Sequence, residues 1–419
     1  MTEAAVARGQ LGGEIAHWRY ALDALRDLDA LASTQAWAGL EEYLRTGLRD
    51  RLRSVVAAVR IEGAALGAAF ESGLPTPALR RRLLSLRARY LQLETVVDFY
   101  GDALATRVHP RTRAILRGLD TLATDSMAAV LGPLGLDVPP ALVYLDKGLG
   151  ASILRAGVRL WDQANPSPVA AIKLTRHNAS HPTALFHETG HQVNHQAGWN
   201  TELALALRRA LAPRSSELAD MWSGWASEVG ADVYAFCLAG WSPLPALANV
   251  VDGTSVAVYR VIPGDPHPFP WIRVMFNTAL CHAWLGRRGP WNRIAATWAA
   301  RHAPERAPRE AGRLASLSMD AMPDIVEVCT RAPMRSFGGR PLTSIVDPRR
   351  ASPAELDALA RRAGASLLTS AFLQRRDSIR ILTWLATRAT LDPENAPAHR
   401  RRLEDWLARL GEPAFARSA

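Results

Sequence analysis

The stretch His187-Glu188-Thr189-Gly190-His191 decides how the rest of this sequence is interpreted. Residues four apart lie on the same face of an α-helix, so both imidazoles can reach one tetrahedral Zn²⁺. The glutamate beside the first histidine can then contact a water in an open coordination position. The pentad therefore predicts a zinc site on a helix, with His187 and His191 as ligands and Glu188 as the base.

The residues around the pentad favour the helix that this geometry needs. Pro182 suits a first helical turn, and Gly198 is placed to end the helix. Gly190 is unexpected, because glycine costs about 1 kcal/mol relative to alanine inside a helix. We expect the close approach of another backbone to require this glycine.

A third protein ligand is needed for a tetrahedral catalytic zinc, and Glu228 is the best candidate. Asp232 lies four residues further along the same helical face, where it can accept the free ring N–H of a ligating histidine. Glu217 is an alternative third ligand, but no carboxylate follows it at the spacing that this supporting role needs. His195 is another alternative, but on a continuous helix it lies about 12 Å along the axis from His187, which is too far for the two to share one metal.

A further motif holds a histidine and an arginine six residues apart on a proline-stiffened segment, at His267 and Arg273. Hydrolysis of a peptide bond by an activated water builds an oxyanion, and a positioned imidazolium or guanidinium stabilises that charge. The alternative interpretation is a surface turn followed by a core helix. The catalytic interpretation depends on the two motifs earlier in the chain, the His187–His191 pentad and the Glu228–Asp232 pair.

Together these motifs resemble those of the gluzincin metallopeptidases, in the branch of the CAAX-prenyl endopeptidases and HtpX-type proteases. That branch carries a His-Glu-x-x-His helix, then a Glu-x-x-Ala-Asp helix, then His-Pro-x-x-x-x-Arg. The matching residues in this chain are His187, Glu188, His191, Glu228, Ala231, Asp232, His267, Pro268 and Arg273. The resemblance covers about a quarter of the chain, from near residue 169 to near residue 275. It implies a zinc peptidase with Glu188 as base and with His267 or Arg273 contacting the substrate or the oxyanion.

The resemblance also bears on the strand expected at residues 168–174. In gluzincins an edge strand before the metal helix binds an extended peptide by adding it to the sheet, and this strand is in the corresponding place. A strand buried on all sides fits the apolar run equally, because five apolar residues in a row do not show which edge is free.

The whole chain is expected to have an α+β fold that is predominantly helical, with a gluzincin-like core, a small sheet and helical flanks. Its 419 residues should divide into two or three domains. Apolar stripes at helical spacing predict an N-terminal helical bundle at 1–135 and a C-terminal helical region at 301–419. The metallopeptidase-like domain is then expected at 136–300.

Composition limits the partners and the compartment. The three cysteines are scattered, which predicts free thiols rather than disulfides or a thiolate zinc site. Residues 1–8 lack the apolar core of a secretory signal, and no apolar run approaches the ~20 residues of a membrane span. The sequence therefore predicts a cytoplasmic protein without a membrane span.

The net charge of +10 comes almost entirely from arginine, since Lys147 and Lys173 are the only lysines. Arginine clusters such as 80–82 and 400–402 are interpreted as solvated helix faces, and no nucleic-acid-binding signature accompanies them. A peptide or protein is the expected substrate, and the oligomeric state is open. The alternative function is a non-catalytic peptide-binding or regulatory protein built on the same scaffold.

Overall fold

The computed structural model describes residues 2–148, 152–154 and 167–412, and helices dominate these residues. One small sheet accompanies them, so the expected α+β, predominantly helical class is confirmed. Among the described residues, no helix combines the length and the apolar character needed to cross a bilayer. The three cysteines are free and buried, as predicted.

The N-terminal third of the chain is helical. Its elements are α1 (Glu3–Ala24), α2 (Leu28–Leu31), α3 (Thr34–Trp37), α4 (Glu42–Glu71), α5 (Thr76–Ala105) and α6 (Pro110–Leu131). In α4, Leu44, Leu48 and Leu52 recur every four residues and are all buried, which sets the face that packs against α1 and α5. Helices α1 to α5 share one apolar core, whereas the buried face of α6 belongs to a second, larger core.

Three strands form the sheet: β1 (Ala141–Leu145), β2 (Ser152–Leu154) and β3 (Ala170–Leu174). Their order is β1-β3-β2, with β1 parallel and β2 antiparallel to β3. The predicted strand before the metal helix is therefore present but central, and the expectation that it is an edge strand is wrong. Its apolar run reflects a strand that is paired on both sides and nearly all buried. Among the described residues, β1 and β2 are the two edges of the sheet.

The remaining helices build the larger core. They are α7 (Ala184–Gln196), α8 (Trp199–Leu211), α9 (Ser216–Gly224), α10 (Ala226–Ala239), α11 (Pro243–Val251), α12 (Ser255–Val258), α13 (Pro270–Leu285), α14 (Pro290–Arg301), α15 (Arg309–Thr330), α16 (Leu342–Ile345), α17 (Pro353–Ala363), α18 (Ala371–Arg376), α19 (Ser378–Leu391) and α20 (Ala396–Leu410). Helices α6 and α20 pack closely, so residues far apart in the chain share this core. The two cores are consistent with more than one domain, while the two predicted domain boundaries stay predictions.

A buried ion pair connects the end of the N-terminal helices to the sheet. Arg107 is fully buried and donates from Nη2 to Asp120 Oδ1 at 2.8 Å and to the carbonyl oxygen of Val143. The same Oδ1 accepts the backbone N–H of Val143 at 2.7 Å. One guanidinium and one carboxylate thus hold α6 and β1 against the segment that follows α5.

Glu202 fastens α8 to a distant loop. Its carboxylate accepts the backbone N–H groups of Arg335 and Ser336, both at 2.8 Å, and the Ser336 hydroxyl at 2.6 Å. Burial raises the pKa of this carboxyl, but the hydrogen bonds outweigh burial and lower it overall. Because the folded pKa is depressed, the contribution of this carboxylate to stability is present above the unfolded value and is lost as the pH falls.

We expect Glu202→Gln to lower the free energy of unfolding by about 1–2 kcal/mol at pH 7, because one acceptor oxygen becomes an amide NH₂ that cannot accept a hydrogen bond, and the bonds to the other oxygen lose their charge assistance. The difference from wild type should shrink as the pH falls below the unfolded pKa of about 4.3. Urea unfolding at several pH values measures both effects. A difference that stays constant down to pH 3 would contradict the ionic contribution of Glu202.

Candidate metal site

The predicted metal ligands come from two helices that cross tightly. Helix α7 presents His187 and His191 one turn apart, and α10 presents Glu228. The two histidine Nε2 atoms are 3.1 Å apart, and each lies 3.2 Å from an oxygen of Glu228. Metal–ligand bonds of 2.0–2.1 Å at tetrahedral angles place donor atoms about 3.3 Å apart. These three residues are therefore spaced to hold a metal ion.

The two rivals for the third ligand lie elsewhere. Glu217 is on α9 and accepts two hydrogen bonds from Arg313 Nη2, at 2.8 Å each. His195 is near the end of α7 and is exposed. Neither belongs to the group that could hold a metal among the described residues.

Close packing of α7 on α10 explains the glycine in the pentad. A Cβ added at Gly190 would lie 2.9 Å from Tyr234 Cδ1 and 3.1 Å from Ala231 Cα. The expected approach of another backbone is thus confirmed. A Cβ at Gly230 would likewise lie 2.9 Å from Asn194 Nδ2. Small residues at these positions let the helices approach closely enough for Glu228 to meet both histidines.

We expect Gly190→Ala to destabilise the protein by about 1–2 kcal/mol, because overpacking outweighs the gain in helix propensity. Gly47→Ala is the matched control, since Gly47 lies inside α4 and a Cβ there would meet nothing within 4 Å. The control should stabilise by about 0.5–1 kcal/mol. Urea unfolding of the two variants checks the opposite signs, and equal effects would refute the packing role of Gly190.

Asp232 lies where the sequence predicts it, behind a ligating histidine. Its Oδ1 is 2.8 Å from His187 Nδ1, which leaves Nε2 of that ring for the metal. Asn277, which the sequence did not single out, donates to Asp232 Oδ2 at 3.1 Å. The second histidine has a weaker partner, the Ser227 hydroxyl, 3.4 Å from His191 Nδ1.

Arg273 is buried, and its guanidinium contacts carboxylates of the site. It donates from Nε and Nη2 to the two oxygens of Asp232, each at 2.8 Å. Its Nη2 is also 3.1 Å from Glu228 Oε2 and 3.2 Å from His187 Nε2. The sequence predicted contact with the substrate or the oxyanion, whereas the contacts in the structure are with Asp232, Glu228 and His187.

His267 stands at the open side of the metal ligands. Its Nε2 is 3.6 Å from Glu228 Oε1, and more than half of the side chain is exposed. Asp265 accepts both the ring Nδ1–H, at 2.7 Å, and the backbone N–H of His267, at 2.9 Å. These hydrogen bonds lower the pKa of the Asp265 carboxyl. The sequence analysis gave Asp265 no role, although an aspartate in a turn typically accepts the backbone N–H of the second residue after it.

The three carboxyl groups of the site differ in the direction of their pKa shifts. Burial raises the pKa of Glu188, against the opposing effect of the neighbouring imidazoles. For Asp232, burial also raises the pKa, but Arg273 and His187 outweigh it and lower the pKa overall. The same balance lowers the pKa of Glu228, where hydrogen bonds with the two histidines oppose burial. Glu188 is thus the carboxyl with the greatest affinity for a proton.

A cleft of about 530 Å³ opens over these residues. Glu188, His267 and Ser152 of β2 border it. An apolar part of its lining comes from one face of α11: Pro243, Ala246, Leu247, Val250 and Val251. Their spacing is that of a helical stripe, and this stripe lines the cleft.

No protein-family model matches this chain, and no curated protein or solved structure is significantly similar to it. The resemblance to gluzincins therefore rests on the motif residues alone. Their arrangement in space is a separate observation, and it brings His187, His191, Glu228, Asp232, His267 and Arg273 together at one cleft.

Proposed function

We propose that this protein is a zinc-dependent peptidase that hydrolyses peptide bonds, with Glu188 as general base. The observation that carries the proposal is the spacing of the three donor atoms of His187, His191 and Glu228, with Glu188 bordering the same cleft. Two imidazoles and one carboxylate are a donor set that catalytic zinc uses in hydrolases. Bound zinc would supply a Lewis acid that activates water and polarises the scissile carbonyl.

The residues of the chain would handle the protons. Glu188 accepts a proton from the attacking water and passes it to the leaving amine, so that no covalent enzyme intermediate forms. Burial raises the pKa of Glu188, which brings the carboxylate closer to the basicity that such a transfer needs. Glu188 borders the cleft that also holds the metal ligands, so its carboxylate is available to a water bound there.

His267 and Arg273 have different roles in this proposal. His267 donates its Nδ1–H to Asp265, and as an imidazolium it would also donate from Nε2 to the developing oxyanion. Arg273 acts through the carboxylates of Asp232 and Glu228 and keeps them in place for the histidine and the metal. Arg273 is therefore assigned as a positioning residue and His267 as a catalytic residue.

The cleft suits an extended peptide with an apolar side chain. Strand β2 pairs on one side only among the described residues, and its first residue, Ser152, lies at the cleft. A peptide backbone could add to that edge by main-chain hydrogen bonds. The apolar wall of α11 would then cover one of its side chains. A cytoplasmic location remains part of the proposal.

Incubation of the zinc-loaded protein with a mixture of short peptides, read by mass spectrometry, tests the proposed function. We expect new peptide termini that disappear with a chelator and return when Zn²⁺, but not Mg²⁺, is added back. Peptides that bind without being cut would favour the non-catalytic alternative. Cleavage that survives complete removal of the metal would contradict the proposal.

A further inference from the structure

A second cavity, of about 400 Å³, lies between α6, the end of α10, and the start of α19. None of its lining residues borders the metal cleft. Four arginines line it: Arg350, Arg375, Arg376 and Arg380. Arginine carries a permanent charge on a planar fork that matches two oxygens of a phosphate, which makes such a cluster informative about the ligand.

Carboxylates also border this cavity, and they determine how much of the positive charge is free. Each of the three already accepts a hydrogen bond from a neighbour: Asp377 from Arg380 (2.8 Å), Asp347 from Arg349 (2.8 Å) and Asp125 from the Ser378 hydroxyl (3.1 Å). Arg380 also donates to the carbonyl oxygens of Arg350 and Glu355, so it is a structural tie. The carboxylates are therefore engaged locally.

Arg350 and Arg376 remain for a ligand. Both side chains are exposed, and neither forms an ion pair within residues 2–148, 152–154 and 167–412. The guanidinium of Arg376 lies over the ring of Phe372, 5.7 Å from its centroid, which restricts its position without neutralising it. Two exposed arginines without an ion pair of their own among the described residues, on one cavity, are the feature that points to an anionic ligand.

The start of α19 adds hydrogen-bond donors to the same cavity. The helix has 14 residues, and Asp377 at its N-cap makes no side-chain capping hydrogen bond. The cavity is bordered by Ser378, Ile379 and Arg380, whose backbone N–H groups have no acceptor within the helix. Helix N-termini favour anions through these donors and through the helix dipole. The donors supplement the two arginines.

We propose that this cavity binds a small phosphorylated molecule, with Arg350 and Arg376 as its principal ligands. Its volume lies in the range of about 300–1,000 Å³ that small-molecule sites occupy. The phosphoryl groups could belong to a nucleotide or to an inorganic oligophosphate, since both present the same oxygens. This site is independent of the proposed peptidase activity.

Isothermal titration calorimetry of the full chain at 150 mM salt tests the proposal, with inorganic pyrophosphate and ATP as separate probes. We expect saturable binding of at least one probe at one site per chain. Binding of ATP alone would identify a nucleotide, and comparable binding of both would identify the oligophosphate group as the determinant. Absence of binding by both probes would overturn the proposal.

The double variant Arg350→Ala/Arg376→Ala should weaken that binding by about 100-fold or more, since each lost charge-assisted hydrogen bond costs about tenfold or more. Arg361→Ala/Arg362→Ala is the matched control, because it removes the same charge from two exposed arginines of α17 that do not line the cavity. The control should bind as wild type does. Equal loss in both double variants would mean non-specific attraction to the basic chain and would overturn the proposed site.

Discussion

Replacing Glu188 by glutamine is expected to slow peptide hydrolysis by about 10²- to 10⁴-fold, the usual contribution of a general base. Glutamine has nearly the same shape but cannot take a proton from water, so substrate binding and metal content should be unchanged. Steady-state cleavage of a peptide that the wild-type protein cuts in the peptide mixture measures the rate of hydrolysis. Metal analysis of the same preparation measures the metal content.

Glu217→Gln is the control for this experiment. It makes the same chemical change at the rival glutamate, which the structure pairs with Arg313 away from the cleft. We expect its rate to stay within about twofold of wild type, because surface substitutions of this kind have small effects. A Glu188→Gln variant that still cuts peptides at the wild-type rate would refute the mechanism.

Replacing Arg107 by methionine is expected to lower the free energy of unfolding by about 3–5 kcal/mol, because it leaves Asp120 buried without its cationic partner. Asp120 is 2% exposed, and Arg107 is its only ion-pair partner among the described residues. Urea unfolding at pH 7 measures the change. Neither residue lines the cleft, so the loss should appear in stability before activity.

Two further variants define the origin of that loss. Arg111→Met removes an arginine that pairs with Asp405 at 2.8 Å on the surface, with both side chains about half exposed or more. Its cost should be under about 1 kcal/mol. Arg107→Met/Asp120→Leu removes both buried charges and should recover part of the stability. A cost for Arg107→Met no larger than that of Arg111→Met would contradict the structural role of the buried pair.

Local spacing made much of the candidate site predictable. His187 and His191 are one helical turn apart, as are Glu228 and Asp232, and a helix determines which side chains share a face. The relative placement of the two histidines on α7, and of the two carboxylates on α10, could therefore be inferred from sequence. Gly190 supplied a further clue, because a glycine inside a helix indicates that something packs close to it.

Long-range pairing could not be predicted in the same way. The strand at residues 170–174 was recognised, but its neighbours in the sheet depend on β2, which lies elsewhere in the chain. The contact of Arg273 with Asp232 joins residues 41 apart, and its geometry depends on how α13 packs on α10. The apolar stripe of α11 has the pattern of a core helix, and only the fold shows that it lines a cleft.

Metal content is the most direct test of the central claim, which is that His187, His191 and Glu228 hold one metal ion. Elemental mass spectrometry of the purified wild-type chain should find about one zinc per chain. His187→Ala and Glu228→Ala should each lose it, while Glu217→Gln keeps it. Wild-type protein that stays free of metal after incubation with Zn²⁺, or a Glu228→Ala variant that binds zinc as tightly as wild type, would contradict the account.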